Sequence, residues 1–188
     1  MLARLKLKSP LHSVLAVGLA LIAIFSAFVV LPLDLLVPSI CISILLIWAS
    51  LIDIEHHILP NVLTYALIGM GAAWVSVFRF ENLHHHLIGL VAGYAILRIV
   101  DVVHVKRTGQ HGMGMGDAKL LGAAGMWLGW VAIPTTLLVG AVSGLLFVGF
   151  KSLREGRVRR DIRIAFGPHI ALGFWWVWLC GPFGQMSL

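Results

Sequence analysis

Long apolar segments separated by short polar stretches dominate the hydropathy pattern of this chain. The segments at residues 35–52 and 59–78 approach the length of about 20 residues with which an α-helix crosses a bilayer. Nothing in the pattern suggests a soluble second domain, so we expect residues 1–188 to form a single transmembrane domain. The fold class predicted is all-α, a polytopic transmembrane helix bundle with about seven spans. The predicted spans are 11–31, 35–52, 59–78, 87–103, 118–133, 135–150 and 164–180, with the boundary between the fifth and sixth placed at Pro134.

The amino-acid composition agrees with a chain built for a membrane. Hydrophobic residues make up 60% of the chain, charged residues only 12%, and the mean hydropathy is +0.97. A soluble domain would carry about a quarter charged residues. Two cysteines, Cys41 and Cys180, lie in apolar runs and form no CxxC pair, which excludes a zinc ribbon.

The basic residues indicate how the helices are oriented. Their excess gives a net charge of +6, which we assign to contacts with anionic lipid headgroups rather than with nucleic acid. If the N-terminus is cytosolic and there are seven spans, only Arg79 falls clearly in an outer loop, as the positive-inside rule requires. The basic residues then predicted to face the cytosol are Arg4, Lys6, Lys8, Lys106, Arg107 and those of the loop 151–163.

Two of the eight acidic residues stand out. Asp53 ends the apolar run that includes Ile47, and Asp117 follows a glycine-rich stretch and precedes the span at 118–133. The predicted topology places both at the cytosolic membrane face. Two carboxylates that share a site cannot both ionise cheaply, so one retains a proton. Such a pair can activate a water molecule and protonate a leaving amine.

Other ionisable residues have simpler interpretations. Asp101 lies three residues after Arg98 on one helix, which predicts a structural ion pair. Asp53, His56 and His57 could supply neighbouring metal ligands, but no HExxH string is present. We therefore expect neither a catalytic metal nor a cofactor.

Three segments resemble, in order along the chain, the motifs of the bacterial type IV prepilin peptidases, a family of GxGD-type intramembrane aspartyl proteases. Gly114-Met-Gly-Asp117 resembles the GxGD signature, and residues 52–61 resemble the family's first aspartate segment. Residues 166–173 are similar to the motif of its last helix. Each string is weak evidence alone, whereas the conjunction of three in order is specific.

The resemblance implies an aspartic endopeptidase that removes the basic leader from prepilins or pseudopilins at the cytosolic face of the bacterial inner membrane. It assigns the catalytic roles to Asp53 and Asp117. Bifunctional members of the family also carry an N-terminal cytosolic region with CxxC pairs and methylate the new N-terminus. We expect a peptidase-only form here, with N-methylation not implied. Weaker candidates for substrate positioning or for the active-site loop are Pro60, Gly114, Gly116, Lys119, Gly167 and Pro168.

Two positions depart from the family pattern. His169 stands where an apolar residue is more usual, and Asn61 stands where relatives can have an acid. The helix positions of the two aspartates also predict unequal roles. Asp117 precedes a helix, where the dipole favours an anion, and Asp53 ends one, where the dipole disfavours it. Asp117 is therefore expected to be the base, with Asp53 the proton-bearing acid.

Two other classes of function compete with the peptidase. Polar residues within spans, interrupted helices and a kink at Pro168 are compatible with a transporter, although no inverted repeat is visible. A membrane assembly factor could use the aromatic cluster at residues 174–178 as a partner surface, although such clusters more often anchor a helix at the interface. Solute uptake without peptide cleavage would favour the transporter.

Overall fold

The computed structural model describes residues 10–110, 112, 114–155 and 164–182, with the side chains of residues 10–15 and 155 excepted. The described residues form seven α-helices and two short 3-10 turns, Leu33–Leu35 and Phe80–Asn82, and contain no strand. The all-α prediction is therefore confirmed. The helices are α1 Pro10–Val30, α2 Leu36–His56, α3 Asn61–Phe78, α4 Leu83–Thr108, α5 Met115–Leu128, α6 Ala132–Glu155 and α7 Gly167–Cys180.

Four of these helices, α2, α3, α4 and α6, are long and apolar enough to cross a membrane, so the chain is a multi-pass membrane protein. Helix α1 has 21 residues, and its part with described side chains, Ala16–Val30, is apolar but shorter than a span. Helices α5 and α7 have 14 residues each. The basic residues near the N-terminus and those at 156–163 lie outside the described residues, as does most of the predicted lipid-binding loop.

The boundary predicted at Pro134 is wrong. Helix α5 ends at Leu128, and the chain reverses through Gly129, whose φ of 81° is open to glycine at little cost. Pro134 lies in the first turn of α6, where a missing backbone N–H does no harm. Pro168 likewise lies in the first turn of α7, so it begins that helix and does not kink it.

Helix α5 forms the centre of the bundle and packs against α3, α4, α6 and α7. From Asp117 to Trp127 every residue except Lys119 is buried. Glycines allow the backbones of α4 and α5 to approach closely: a Cβ on Gly93 would lie 2.6 Å from the Leu121 carbonyl oxygen. A helix enclosed in this way is stabilised by its protein neighbours and needs no lipid-spanning length.

The helix ends sort into two groups. The end of α2 and the starts of α3, α5 and α7 meet at one end of the bundle, as the contacts described below show. Helix α2 ends where His57 adopts a left-handed conformation (φ 52°), and its backbone N–H bonds to the Asp53 carbonyl. Pro60 then precedes α3 in extended conformation. The turns between α3 and α4 and between α5 and α6 meet at the opposite end, where the Trp130 backbone N–H donates to the His85 carbonyl.

Candidate active site

The structure brings Asp53 and Asp117 together from distant parts of the chain. Asp53 lies in the last turn of α2 and Asp117 is the third residue of α5, and they are 5% and 8% exposed. They are close enough for the charge of Asp53 to act on Asp117. Two buried carboxylates in one site are the arrangement that supports paired acid and base chemistry.

A third helix contacts the Asp53 carboxylate. The backbone N–H of Gly167, the first residue of α7, donates a hydrogen bond of 3.0 Å to Asp53 Oδ2. A Cβ at position 167 would lie 2.7 Å from the same oxygen, so only glycine leaves the carboxylate its place. The N-terminal end of a helix favours a negative charge, and here it faces Asp53.

Leu59 joins the segments that carry the three motifs. Its side chain is buried, and its Cδ1 would lie 3.0 Å from a Cβ on Gly167 of α7. A Cβ on Gly116 of α5 would lie 2.6 Å from Leu59 Cβ. Gly116 and Gly167 are thus both places where a larger residue would push against Leu59. In the sequence these contacts are visible only as two glycines, Gly116 before Asp117 and Gly167 before Pro168.

Gly114 positions Asp117. It caps the start of α5, its carbonyl accepts the Asp117 backbone N–H at 3.2 Å, and a Cβ on it would lie 3.3 Å from Asp117 Oδ2. Asp117 lies in the first turn of α5, outside the four helices that qualify as membrane spans. Burial, and then the negative charge of Asp53, raise the pKa of Asp117 to about 7, against a backbone hydrogen bond from Gly114 that lowers it. At neutral pH Asp117 is therefore a carboxyl group that can carry a proton.

The two aspartates occupy the helix positions expected from the sequence, but their tertiary contacts favour the opposite distribution of charge between them. The Gly167 N–H stabilises a negative charge on Asp53, and the raised pKa of Asp117 makes it the group that holds a proton. Position within a single helix could not foretell this, because the donor to Asp53 comes from α7.

Lys119 links the start of α5 to α3. Its Nζ donates a 2.7 Å hydrogen bond to Asn61 Oδ1 and lies 5.0 Å from the centre of the Tyr65 ring. Asn61 is the first residue of α3 and follows Pro60. The amide oxygen of Asn61 thus accepts a hydrogen bond from Lys119, so this lysine has a partner without a carboxylate at position 61.

His169 and Ser143 form a contact that the sequence did not predict. His169 Nδ1 lies 3.0 Å from Ser143 Oγ, and the hydroxyl lies 2.9 Å from the Gly140 carbonyl to which it donates. This arrangement makes the imidazole the donor to Ser143 and ties α6 to the first turn of α7. Gly140 was the available signal for this close approach, since a Cβ on it would lie 3.1 Å from the His169 carbonyl oxygen.

The remaining candidates lie apart from this centre. Asp101 is 2% exposed and bonds to Arg98 at 3.2 Å, as expected. Among the residues that the structure describes, no group of three or more histidine, cysteine, aspartate or glutamate side chains is placed to hold a metal ion. Of the three residues considered as metal ligands (Asp53, His56 and His57), His57 is exposed. The three consecutive histidines at positions 84–86 lie in the first turn of α4, at the opposite end of the bundle.

Comparison with known proteins gives a consistent result. Residues 40–149, more than half of the chain, match the model of the type IV leader peptidase family. A prepilin leader peptidase/N-methyltransferase of Stutzerimonas stutzeri is 37% identical over 142 residues, which are 73% of this chain and 49% of the relative. The protein of that name from Pectobacterium carotovorum subsp. carotovorum is 38% identical over 135 residues, covering 71% of this chain and 47% of its own length. The protein of that name from Pseudomonas aeruginosa is 37% identical over 142 residues, which are 73% of this chain and 49% of the relative.

The chain thus spans about half the length of the curated relatives it matches. No solved structure matches it. Asp53 and Asp117 both fall within the residues that match the family model. The match and the identities to three peptidases establish the relationship: this chain belongs to the type IV leader peptidase family.

Proposed function

We propose that this chain is an aspartic endopeptidase that removes the basic leader from type IV prepilins or pseudopilins at the cytosolic face of the bacterial inner membrane. The observation that carries the proposal is the buried pair of Asp53 and Asp117, held together by α2, α5 and α7. Membership of a leader peptidase family and the names of its relatives, which are prepilin leader peptidases, support the substrate class.

The reaction would proceed by acid and base catalysis. The Asp53 carboxylate takes a proton from a water molecule, and the water oxygen attacks the carbonyl carbon of the scissile peptide. Asp117 gives its proton to the amide nitrogen as the C–N bond breaks. The products are the carboxyl terminus of the leader and the amino terminus of the mature pilin, and a proton passes back from Asp53 to Asp117 to restore the pair.

The charge distribution supports a cytosolic active site. Described basic residues at the active-site end include Lys106 and Arg107 in the last turn of α4, and Lys151 and Arg154 near the end of α6. Arg79, between α3 and α4, lies at the other end. An excess of lysine and arginine marks the cytosolic side of a membrane protein, where a basic leader would also lie.

The transporter alternative gains no support from the comparisons, because the matched family and the relatives are peptidases. The proline that suggested a kinked transport helix begins α7 instead.

The test is leader removal in membranes. Wild type, Asp53→Asn and Asp117→Asn would be expressed with a prepilin substrate, and the shift from precursor to mature pilin would be followed on gels. The amide keeps the size of each side chain while removing its acid–base role, so we expect both variants to lose at least a hundredfold in rate.

Asp34→Asn is the matched control, because Asp34 is exposed and lies in the 3-10 turn before α2, away from the active-site end. It should cleave like wild type. Unfolding temperatures in detergent would show that the inactive variants are folded. Cleavage by either dyad variant at the wild-type rate would overturn the catalytic assignment. Failure of the wild type on several prepilins would overturn the proposed substrate class.

A further inference from the structure

A cavity, here called the outer cavity, lies at the end of the bundle opposite the aspartates. It has a volume of about 530 Å³ and lies among the ends of α3, α5 and α7 and the start of α4. Ligand sites usually measure about 300–1,000 Å³. Its polar wall includes Arg79, Asn82, His85 and His86, and none of the described residues that line it is acidic.

Arg79 gives the cavity its charge. The guanidinium carries five N–H donors in a fork that suits phosphate. It has no ion pair within 4.0 Å among the described residues, although the exposed Glu81 is two positions away. Arg79 is also the one basic residue that the positive-inside argument left on the outer side, and the peptidase chemistry does not use it.

The hydrogen bonds of the two histidines define what they offer to a ligand. Trp130 Nε1 donates to His85 Nδ1 at 3.0 Å, so neutral His85 carries its proton on Nε2 and can donate there. His86 Nδ1 lies 3.0 Å from the Met126 carbonyl, to which it donates. The wall therefore combines a permanent cation with a free imidazole donor and the amide of Asn82.

Aromatic residues fix the walls of this cavity. Trp127 donates to the Leu67 carbonyl at 2.8 Å and Trp178 donates to Ser39 Oγ at 2.8 Å, and the two indoles meet edge to face at 5.7 Å. Trp74 and Trp130 complete the aromatic lining. Of these tryptophans Trp130 is the most exposed, and an exposed tryptophan at the end of a membrane bundle is typical of the level of the lipid headgroups.

The surface beside the cavity is apolar. Val77, Phe78 and Phe80, next to Arg79 in the chain, are 71%, 62% and 68% exposed. A soluble anion would gain nothing from these side chains, whereas lipid acyl chains would cover them. From these observations we propose that the outer cavity binds the phosphate of an anionic phospholipid headgroup, with Arg79 as its charge partner.

The experiment compares ligands on the purified full chain in neutral detergent. Phosphatidylglycerol, phosphatidylcholine with the same acyl chains, and glycerol 3-phosphate would be titrated, with binding followed by native mass spectrometry and by the unfolding temperature. We expect phosphatidylglycerol to bind at least tenfold more tightly than either other ligand and to raise the unfolding temperature. Equal binding of the two lipids would overturn a charge-selective site, and equal binding of glycerol 3-phosphate would overturn the lipid assignment.

Variants locate the binding. Arg79→Gln should lose at least tenfold in affinity for phosphatidylglycerol, and Arg79→Lys should keep most of it. Arg107→Gln, which removes an exposed cation at the active-site end, is the matched control and should lose much less affinity than Arg79→Gln, because it lies on an open surface outside the cavity. Undiminished binding by Arg79→Gln would overturn the role of Arg79. Asn82→Leu removes an amide from the same wall and should also weaken phosphatidylglycerol binding, so the site can be tested even if Arg79→Gln does not fold. Undiminished binding by Asn82→Leu and Arg79→Gln together would place the lipid elsewhere, and none of these measurements depends on the peptidase activity.

Discussion

Gly167 offers the sharpest test of how α7 serves the active site, through the substitution Gly167→Ala. The new methyl group would lie 2.7 Å from Asp53 Oδ2, 3.2 Å from Asp53 Cγ and 3.0 Å from Leu59 Cδ1. Real Cβ contacts essentially never fall below 3.0 Å, and both neighbours are buried, so one of the helices or the carboxylate has to move. The hydrogen bond of 3.0 Å from the Gly167 N–H would stretch with that movement.

The expected magnitude follows from the contacts. Overpacking a close-fitted site costs about 1–3 kcal/mol in stability. A hydrogen bond to a charged group is worth about 1.5–3 kcal/mol. If that loss falls on the catalytic step, at about 1.4 kcal/mol for each factor of ten, cleavage slows by roughly ten- to a hundredfold. Alanine carries no helix-propensity penalty relative to glycine, so any loss of stability comes from the collision.

The assay is the initial rate of leader removal at equal amounts of folded protein, together with the unfolding temperature. Gly144→Ala in α6 is the matched control, because its Cβ would have no neighbour closer than 3.7 Å, an ordinary contact. It should cleave within about twofold of wild type and be no less stable, since alanine favours a helix over glycine.

A double-mutant cycle identifies the partner in the collision. In an Asp53→Ala background the carboxylate is gone, so Gly167→Ala should cost about 1 kcal/mol less in stability than it does in wild type. An equal cost in both backgrounds would assign the collision to Leu59. Wild-type cleavage and stability of Gly167→Ala would refute the reasoning altogether.

Three further predictions concern groups around the dyad. Because the pKa of Asp117 is raised to about 7 and Asp117 is the proposed acid, cleavage should be lost as pH rises above about 7, and a rate that instead grows from pH 7 to 9 would contradict this role. Lys119→Met removes the 2.7 Å hydrogen bond to Asn61 and should lower the unfolding free energy by about 1 kcal/mol, because Lys119 is partly exposed. Lys119→Arg should lose less stability. Equal unfolding temperatures for Lys119→Met and wild type would count against a stabilising role for this hydrogen bond. His169→Leu breaks the 3.0 Å contact with Ser143 and should slow cleavage about fivefold, because one hydrogen bond is worth roughly 1 kcal/mol. Ser143→Ala should slow cleavage by the same factor. A wild-type rate in both variants would contradict the idea that this contact positions α7.

Hydropathy and local chemistry alone were enough to predict the class of fold. A lipid environment demands helices whose backbone groups are satisfied internally, so long apolar runs leave little choice of structure. The order of the seven helices follows the predicted segments, and the pairing of Arg98 with Asp101 follows from their spacing on one helix. The break between α5 and α6 was misplaced because a proline in a first turn and a proline that ends a helix look alike in a sequence.

The candidate site was predictable only in its residue types. Asp53, Asp117 and the neighbouring glycines are visible as rare acids and small residues in an apolar chain, and the family resemblance puts them in order. Their partners are not visible, because they come from other helices: the Gly167 N–H reaches Asp53 across 114 positions, and Lys119 reaches Asn61 across 58.

The amino-acid sequence by itself thus determined that this protein is a helical membrane bundle with two acids near one face, since burial energy and backbone satisfaction depend on local composition. Tertiary structure alone decided which acid faces a helix N-terminus, which glycines make room for a carboxylate, and that Arg79 borders a cavity with no acid in its described lining. Electrostatics and steric fit depend on distances between helices, and those distances exist only once the bundle has packed.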